Sequence, residues 1–211
     1  AFFVLIGEDL KSKVLEIDAS KITTGLPVSL FTKEFAEIVD DPAIDIVVEV
    51  IGGTDAAFTF VDAAMRKGKN VVTANKQLLA SRGEELFTLA RDEKRHLRFE
   101  ASVAGAIPII KVMRESMIAA GLHTVYGIVN GTTNYILTHM YNEEGDYSEI
   151  LAKAQELGYA EADPTADVGG GDAAAKMAIL ASIAFHSRVT LADVAYSGIQ
   201  DVTLADVQYA K

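Results

Sequence analysis

Asp172 and Lys176 stand four residues apart in GGGDAAAKMAILASIAF, residues 169–185, where the only other polar side chain is that of Ser182. A helix apolar all round belongs in an interior, and residues at i and i+4 share a helix face within ion-pairing reach. Lys176 falls within the first two turns, near the positive end of the helix dipole, where a cation is disfavoured by up to about 1 kcal/mol. Burial favours its neutral amine and Asp172 favours the ammonium, so an amine held between the two can take and return a proton. An ordinary structural ion pair satisfies the same spacing. Just ahead, Glu161, Asp163 and Asp167 in EADPTADV form a negative stretch that suits a cationic group such as an amine, or a solvated acidic turn. A calcium loop is excluded, because Val168 stands where the sharp-turn glycine belongs and Ala174 where the bidentate glutamate belongs. Gly169, Gly170 and Gly171 allow close backbone approach at a helix start and favour a ligand site.

Those groups need elements to hold them. IDIVVEVI, residues 44–51, is an apolar run between DDPA and GGTD and reads as a strand buried on both faces, with Glu49 as its one oddity. Thr54 and Asp55 can cap a helix through AAFTFVDAAMRKG that stops at Gly68. NVVTA, residues 70–74, repeats the strand, a helix follows from about Lys76, and HLRFEASV, residues 96–103, is a third strand. Alternating strands and helices predict parallel strands with right-handed crossovers, half of a doubly wound α/β sheet whose ligands sit at the carboxyl ends of the strands. Gly52 and Gly53 lie at one such end, where bare backbone can approach a flat ring or a phosphate, and Lys76 lies at the mouth of the next.

Beyond PIIKVMRESMIAAG, expected to be a helix, TVYGIVNGTTNYIL reads as strand, polar turn and helix, SEILAKAQELG as an amphipathic helix ended by Gly158, and VAYSGIQDV as a last strand. A boundary falls between residues 107 and 121, with an α+β domain beyond it. FFVLIG, residues 2–7, looks like another strand.

The totals bound the function. Half of the 211 residues are apolar, enough for one or two packed domains. A net charge of −11 argues against nucleic acid or an anionic membrane as the main partner and favours a small ligand. The chain has no cysteine, which removes disulfides and thiolate metal sites, and a cytoplasmic address follows. The longest apolar run, AFFVLI, is far short of the roughly 20 residues needed to span a bilayer. His96, His123, His139 and His186 have no mutual spacing suited to a metal and are read as structural or surface residues.

With VVEVIGG, NVVTANKQLLA, FEASVAGAIPII, GIVNGTTNYIL and LGYAEADPTADVGGGDAAAK in this order, covering most of residues 44–185, the chain resembles the homoserine dehydrogenase family. The resemblance implies interconversion of L-homoserine and L-aspartate 4-semialdehyde with NAD(P), on the route to threonine, methionine and isoleucine, by a homo-oligomer such as a dimer. It implies a partial NAD(P)-binding Rossmann-like domain over residues 1–107, and an incomplete substrate, catalytic and dimerisation domain, α+β, over 108–211. It matches Lys176 to the family's proton donor and acceptor and Asp172 to the carboxylate beside it. It matches Glu161 to a substrate ligand, Asp167 to the amino group's partner, and Thr132 to the lining of the cleft. Lys76 corresponds to a lysine between cofactor and substrate, and Gly52 and Gly53 to the loop near the nicotinamide. The main-chain carbonyls around Glu100, Val103, Gly105 and Ile107 correspond to a structural site for a monovalent cation such as Na⁺.

The family begins with a strand and a G-x-G-x-x-G turn that this sequence lacks, and it continues past DVTLADVQYAK. The chain is therefore expected to be a piece of a longer enzyme. Glu8 and Asp9, near the end of FFVLIG, favour NAD over NADP through the ribose hydroxyls.

Overall fold

The structure is a computed structural model that describes residues 13–15, 27–143 and 145–211. The strand expected over 2–7, with Glu8 and Asp9, lies outside the described residues. The chain divides into two compact units, Ala1–Ala120 and Gly121–Lys211.

In the first unit, β1 (Val14–Leu15) pairs in parallel with β2 (Phe31–Thr32), and the short helix α1 (Ala36–Val39) follows. The part that positions the candidate residues is a second sheet of order β3-β4-β5: β3 (Ile46–Glu49), β4 (Asn70–Thr73) and β5 (Leu97–Arg98), all parallel. Its crossovers are α2 (Asp55–Arg66) and α3 (Lys76–Asp92), as the alternation of strand and helix signals requires. Ala57, Val61, Ala64 and Met65 of α2 and Leu78, Leu86 and Leu89 of α3 are buried, one stripe per helix. Asn75 caps α3 by accepting from the Leu78 N–H at 3.0 Å, and Gly68 ends the α2 turn at φ 82°.

Four expectations change here, the first at the start of α2, where Thr54 makes no side-chain capping bond. β3 is not closed on both faces: Val47 and Glu49 are buried, but Ile46 is 48% exposed. β5 stops at Arg98, because Phe99 turns out of the extended region (φ −151°, ψ 34°) into a 3₁₀ turn over Glu100–Ser102. The helix after Pro108 is split into α4 (Ile109–Lys111) and a π turn over Val112–Ser116. Glu100 ties that helix start down, its carboxylate accepting from the Ile110 and Lys111 N–H groups at 2.9 and 3.0 Å.

Among the described residues the second unit is built of helices and loops: α5 (Gly131–Glu143), α6 (Tyr147–Glu156), α7 (Thr165–Val168), α8 (Gly171–Ala184) and α9 (Leu204–Tyr209). Ile136 and Met140 of α5, Ile150 and Ala154 of α6, Val168 and Val207 make one core. No residue of α8 is exposed, as its lack of a polar face demands. The strands expected around residues 124–129 and 194–202 do not form. Residues 121–130 run without a strand partner, and Tyr126 and Ile128 are 100% and 78% exposed. A strand needs a neighbour to bond its N–H and C=O groups, and the described residues of this unit supply none.

Among the described residues no helix is long and apolar enough to cross a membrane, and no three His, Asp or Glu side chains cluster as metal ligands.

Candidate active site

In the second unit, Lys176 and Asp172 form the pair that their spacing allows, Nζ lying 2.7 Å from Oδ2. Asp172 is 5% exposed, too buried to keep a charge without partners. Lys176 supplies one partner and Asn130 another: the Asn130 amide Nδ2 donates to Asp172 Oδ2 at 2.8 Å and to Asp167 Oδ1 at 2.7 Å. Lys176 Nζ also donates to the carbonyl of Val129 at 2.8 Å. The Thr132 hydroxyl lies 2.8 Å from the carbonyl of Tyr159 and 3.3 Å from Asp167 Oδ2. A single network therefore joins Lys176, Asp172, Asn130, Asp167 and Thr132.

Asn130 is the member that motif reading misses. The sequence does show its other end: an Asn before Gly-Thr-Thr at a helix start is a cap, and Asn130 Oδ1 accepts from the Thr133 N–H at 2.8 Å. What the pattern does not show is that the amide's other end reaches α8, 42 residues on. One nitrogen carries two hydrogens and gives one to each carboxylate. Replacing Asn130 by alanine removes both bonds and leaves two acidic groups facing each other. A loss of about 2 kcal/mol in stability is expected, the middle of the range for a buried unsatisfied partner, with turnover falling at least tenfold. Urea unfolding and steady-state rates on the full-length protein check both; a variant equal to wild type in both would refute the bridging role.

Two acidic residues stand apart from this network. Glu161 is exposed, and its main-chain carbonyl accepts from Gln155 Nε2 at 3.0 Å. Asp163 is used within its own turn, where the hydroxyl and N–H of Thr165 (2.6 and 3.1 Å) hold its carboxyl below the usual carboxylate range.

Two of the three glycines are packed against the chain itself. Gly170 has φ 86°, and a Cβ there would lie 2.7 Å from the carbonyl oxygen of Ser197; a Cβ on Gly169 would meet Thr165 O at 2.6 Å. The Ile199 N–H bonds to Val168 O at 2.8 Å in the same place. The close approach that Gly170 permits is by this chain's own segment 196–200.

In the first unit, Gly52 and Gly53 follow β3 with φ 76° and 69°, and a Cβ on either would meet nothing within 4 Å. Bare left-handed backbone facing open space at a strand's carboxyl end fits a nucleotide cofactor. Lys76 opens α3 directly after the cap Asn75, whose Nδ2 donates to the carbonyl of Gly53 at 2.7 Å. In the loop 103–107, Ala104 and Gly105 take φ 61° and 56°. Among the described residues the carbonyls of Val103 and Gly105 accept no hydrogen bond, whereas that of Ile107 accepts from the Ile109 N–H at 2.8 Å and that of Glu100 from Val103 N at 3.5 Å. Uncommitted carbonyl oxygens in an irregular loop fit a hard monovalent cation.

The parallel sheet with crossover helices and a glycine loop at a strand's carboxyl end makes the first unit a Rossmann-like α/β unit of the NAD-binding class. Residues 9–100 match the profile described as homoserine dehydrogenase, NAD binding domain, and residues 108–211 match that described as homoserine dehydrogenase. The homoserine dehydrogenase of Corynebacterium glutamicum is 48% identical over 207 residues, covering 98% of this chain and 46% of its own length. That of Mycobacterium tuberculosis H37Rv is 52% identical over 192 residues, covering 90% and 44%. The crystal structure of a homoserine dehydrogenase from Thiobacillus denitrificans superimposes with a TM-score of 0.88 at 44% identity, over 93% of this chain and 46% of that one. The chain belongs to the homoserine dehydrogenase family and spans about half the length of the curated relatives it matches.

Proposed function

We propose that the protein is an NAD(P)-dependent homoserine dehydrogenase that interconverts L-homoserine and L-aspartate 4-semialdehyde in the synthesis of threonine, methionine and isoleucine. The observation that carries this reading is the setting of Lys176 Nζ, held by the carbonyl of Val129 at 2.8 Å and by Asp172 at 2.7 Å. A neutral amine has two hydrogens and one lone pair. With both hydrogens engaged by those acceptors, the lone pair remains to accept a proton from a substrate hydroxyl. When the alcohol is oxidised, the hydroxyl proton passes to Nζ as the carbon loses hydride; when the aldehyde is reduced, the lysine returns the proton. The nicotinamide cofactor, when bound, supplies the hydride acceptor and donor.

Asp172 orients Lys176. Asp167 and Glu161 take the substrate ammonium group, and Asp167, whose two oxygens are already held by Asn130 and Thr132, meets it in a fixed position. Thr132 thereby belongs to the substrate site. Gly52, Gly53 and Lys76 bind the cofactor. A Na⁺ ion held by main-chain carbonyls of the loop around Glu100, Val103, Gly105 and Ile107 would stiffen the chain between β5 and α4.

The test is the full-length protein assayed with homoserine and with other amino alcohols, each with NAD⁺ and NADP⁺. Turnover of homoserine with a kcat/KM at least a hundredfold above the other alcohols is expected. A preference for another amino alcohol, or no reduction of either nucleotide, would overturn the assignment.

A further inference from the structure

Glu49 is the last residue of β3, at the carboxyl end of the three-stranded sheet, with no exposed surface. Among the described residues no cation pairs with it. Four donors converge on it instead: the N–H groups of Ile51 at 2.9 Å and Gly52 at 3.4 Å, the amide of Asn75 at 3.4 Å, and the hydroxyl of Thr73 at 2.5 Å. Thr73, itself fully buried, accepts in turn from the Asn75 N–H at 2.9 Å. Asn75 closes the circuit through the carbonyl of Gly53 and the Leu78 N–H.

A valine would fill this strand position without burying a charge, which is costly even when well bonded. The charge therefore does something that packing does not require. Charge-assisted bonds are about twice as strong as neutral ones, and these reach the two places the sheet offers a ligand: the left-handed loop at Gly52 and Gly53, and the start of α3 at Asn75 and Lys76. We propose that Glu49, acting through Thr73 and Asn75, is the positioning group of the cofactor site, fixing the glycine loop and the start of α3 as one rigid edge. The proposal rests on the reading that this unit binds a nicotinamide dinucleotide.

Thr73→Val keeps the shape and removes the hydroxyl, and Thr73→Ser keeps the hydroxyl and removes a methyl. In the full-length enzyme, Thr73→Val is expected to raise the KM for the nicotinamide cofactor at least tenfold, within what a small misplacement of binding groups costs. The KM for homoserine stays within twofold, and Thr73→Ser returns the cofactor KM to within threefold of wild type. Glu49→Gln is the second variant, for use if Thr73→Val does not fold. Its amide nitrogen would need the Thr73 oxygen as acceptor and would leave the threonine hydrogen without one, so its cofactor KM rises as well. Fluorescence titration with the reduced cofactor gives the dissociation constants directly. A purely structural network would lower kcat with the folded fraction and leave the cofactor KM unchanged, and that result would overturn the proposal. Wild-type enzyme that binds no nicotinamide dinucleotide would instead overturn the functional reading, and the proposal with it.

Discussion

Lys176→Met is expected to lower kcat for homoserine oxidation by about a thousandfold, in the middle of the range for removing a general acid or base. Methionine matches the length of the chain but can neither take nor return a proton. It also strips Asp172, at 5% exposure, of the Lys176 cation, so a stability loss of about 3 kcal/mol accompanies the rate loss. The two effects separate with Lys176→Arg. Arginine keeps a cation beside Asp172 but is not deprotonated in proteins, so stability is largely retained while kcat falls as far. Rates normalised to folded enzyme, with urea unfolding of each variant, decide the matter. An arginine variant within tenfold of the wild-type rate would reduce Lys176 to a structural partner.

Gly170→Ala carries the largest expected stability effect. Residue 170 sits at φ 86°, in the left-handed region, where a side chain costs about 1–2 kcal/mol. The new methyl would also lie 2.7 Å from the carbonyl oxygen of Ser197 and 3.2 Å from the ring of Tyr196, and the nearer contact is backbone that cannot swing aside. Overpacking of that kind adds about 1–3 kcal/mol. The sum approaches half or more of the stability of a marginal domain, and the displaced residue directly precedes α8, two positions before Asp172. Gly68→Ala is the control: φ is 82°, but a Cβ there meets nothing within 4 Å, so only the dihedral cost applies. Chemical denaturation of both variants checks the difference, and a Gly170→Ala protein within 1 kcal/mol of wild type would refute the steric account.

What could be read in the sequence was what depends on near neighbours. The Asp172–Lys176 pair, the stop at Gly68 and the parallel order of β3, β4 and β5 all follow from spacings within one or two elements. Contacts made across tens of residues were hidden. Asn130 looked like a turn residue because its capping end is local and its bridging end is not. The glycine triplet pointed to close approach, but composition could not say that the approaching chain is Ser197 and its neighbours. The strands expected in the second unit failed for a related reason: an alternating apolar pattern becomes a strand only beside another, and Tyr126 and Ile128 have none among the described residues.

The two acceptors on Lys176 have a thermodynamic consequence. A free lysine side chain carries about 2 kcal/mol of rotamer entropy. In this chain Nζ is fixed between Val129 and Asp172, on a helix with no exposed residue, so that freedom is lost as the unit folds. Any hydroxyl that reaches the amine meets a group already ordered, and the association carries no further entropic cost for arranging it.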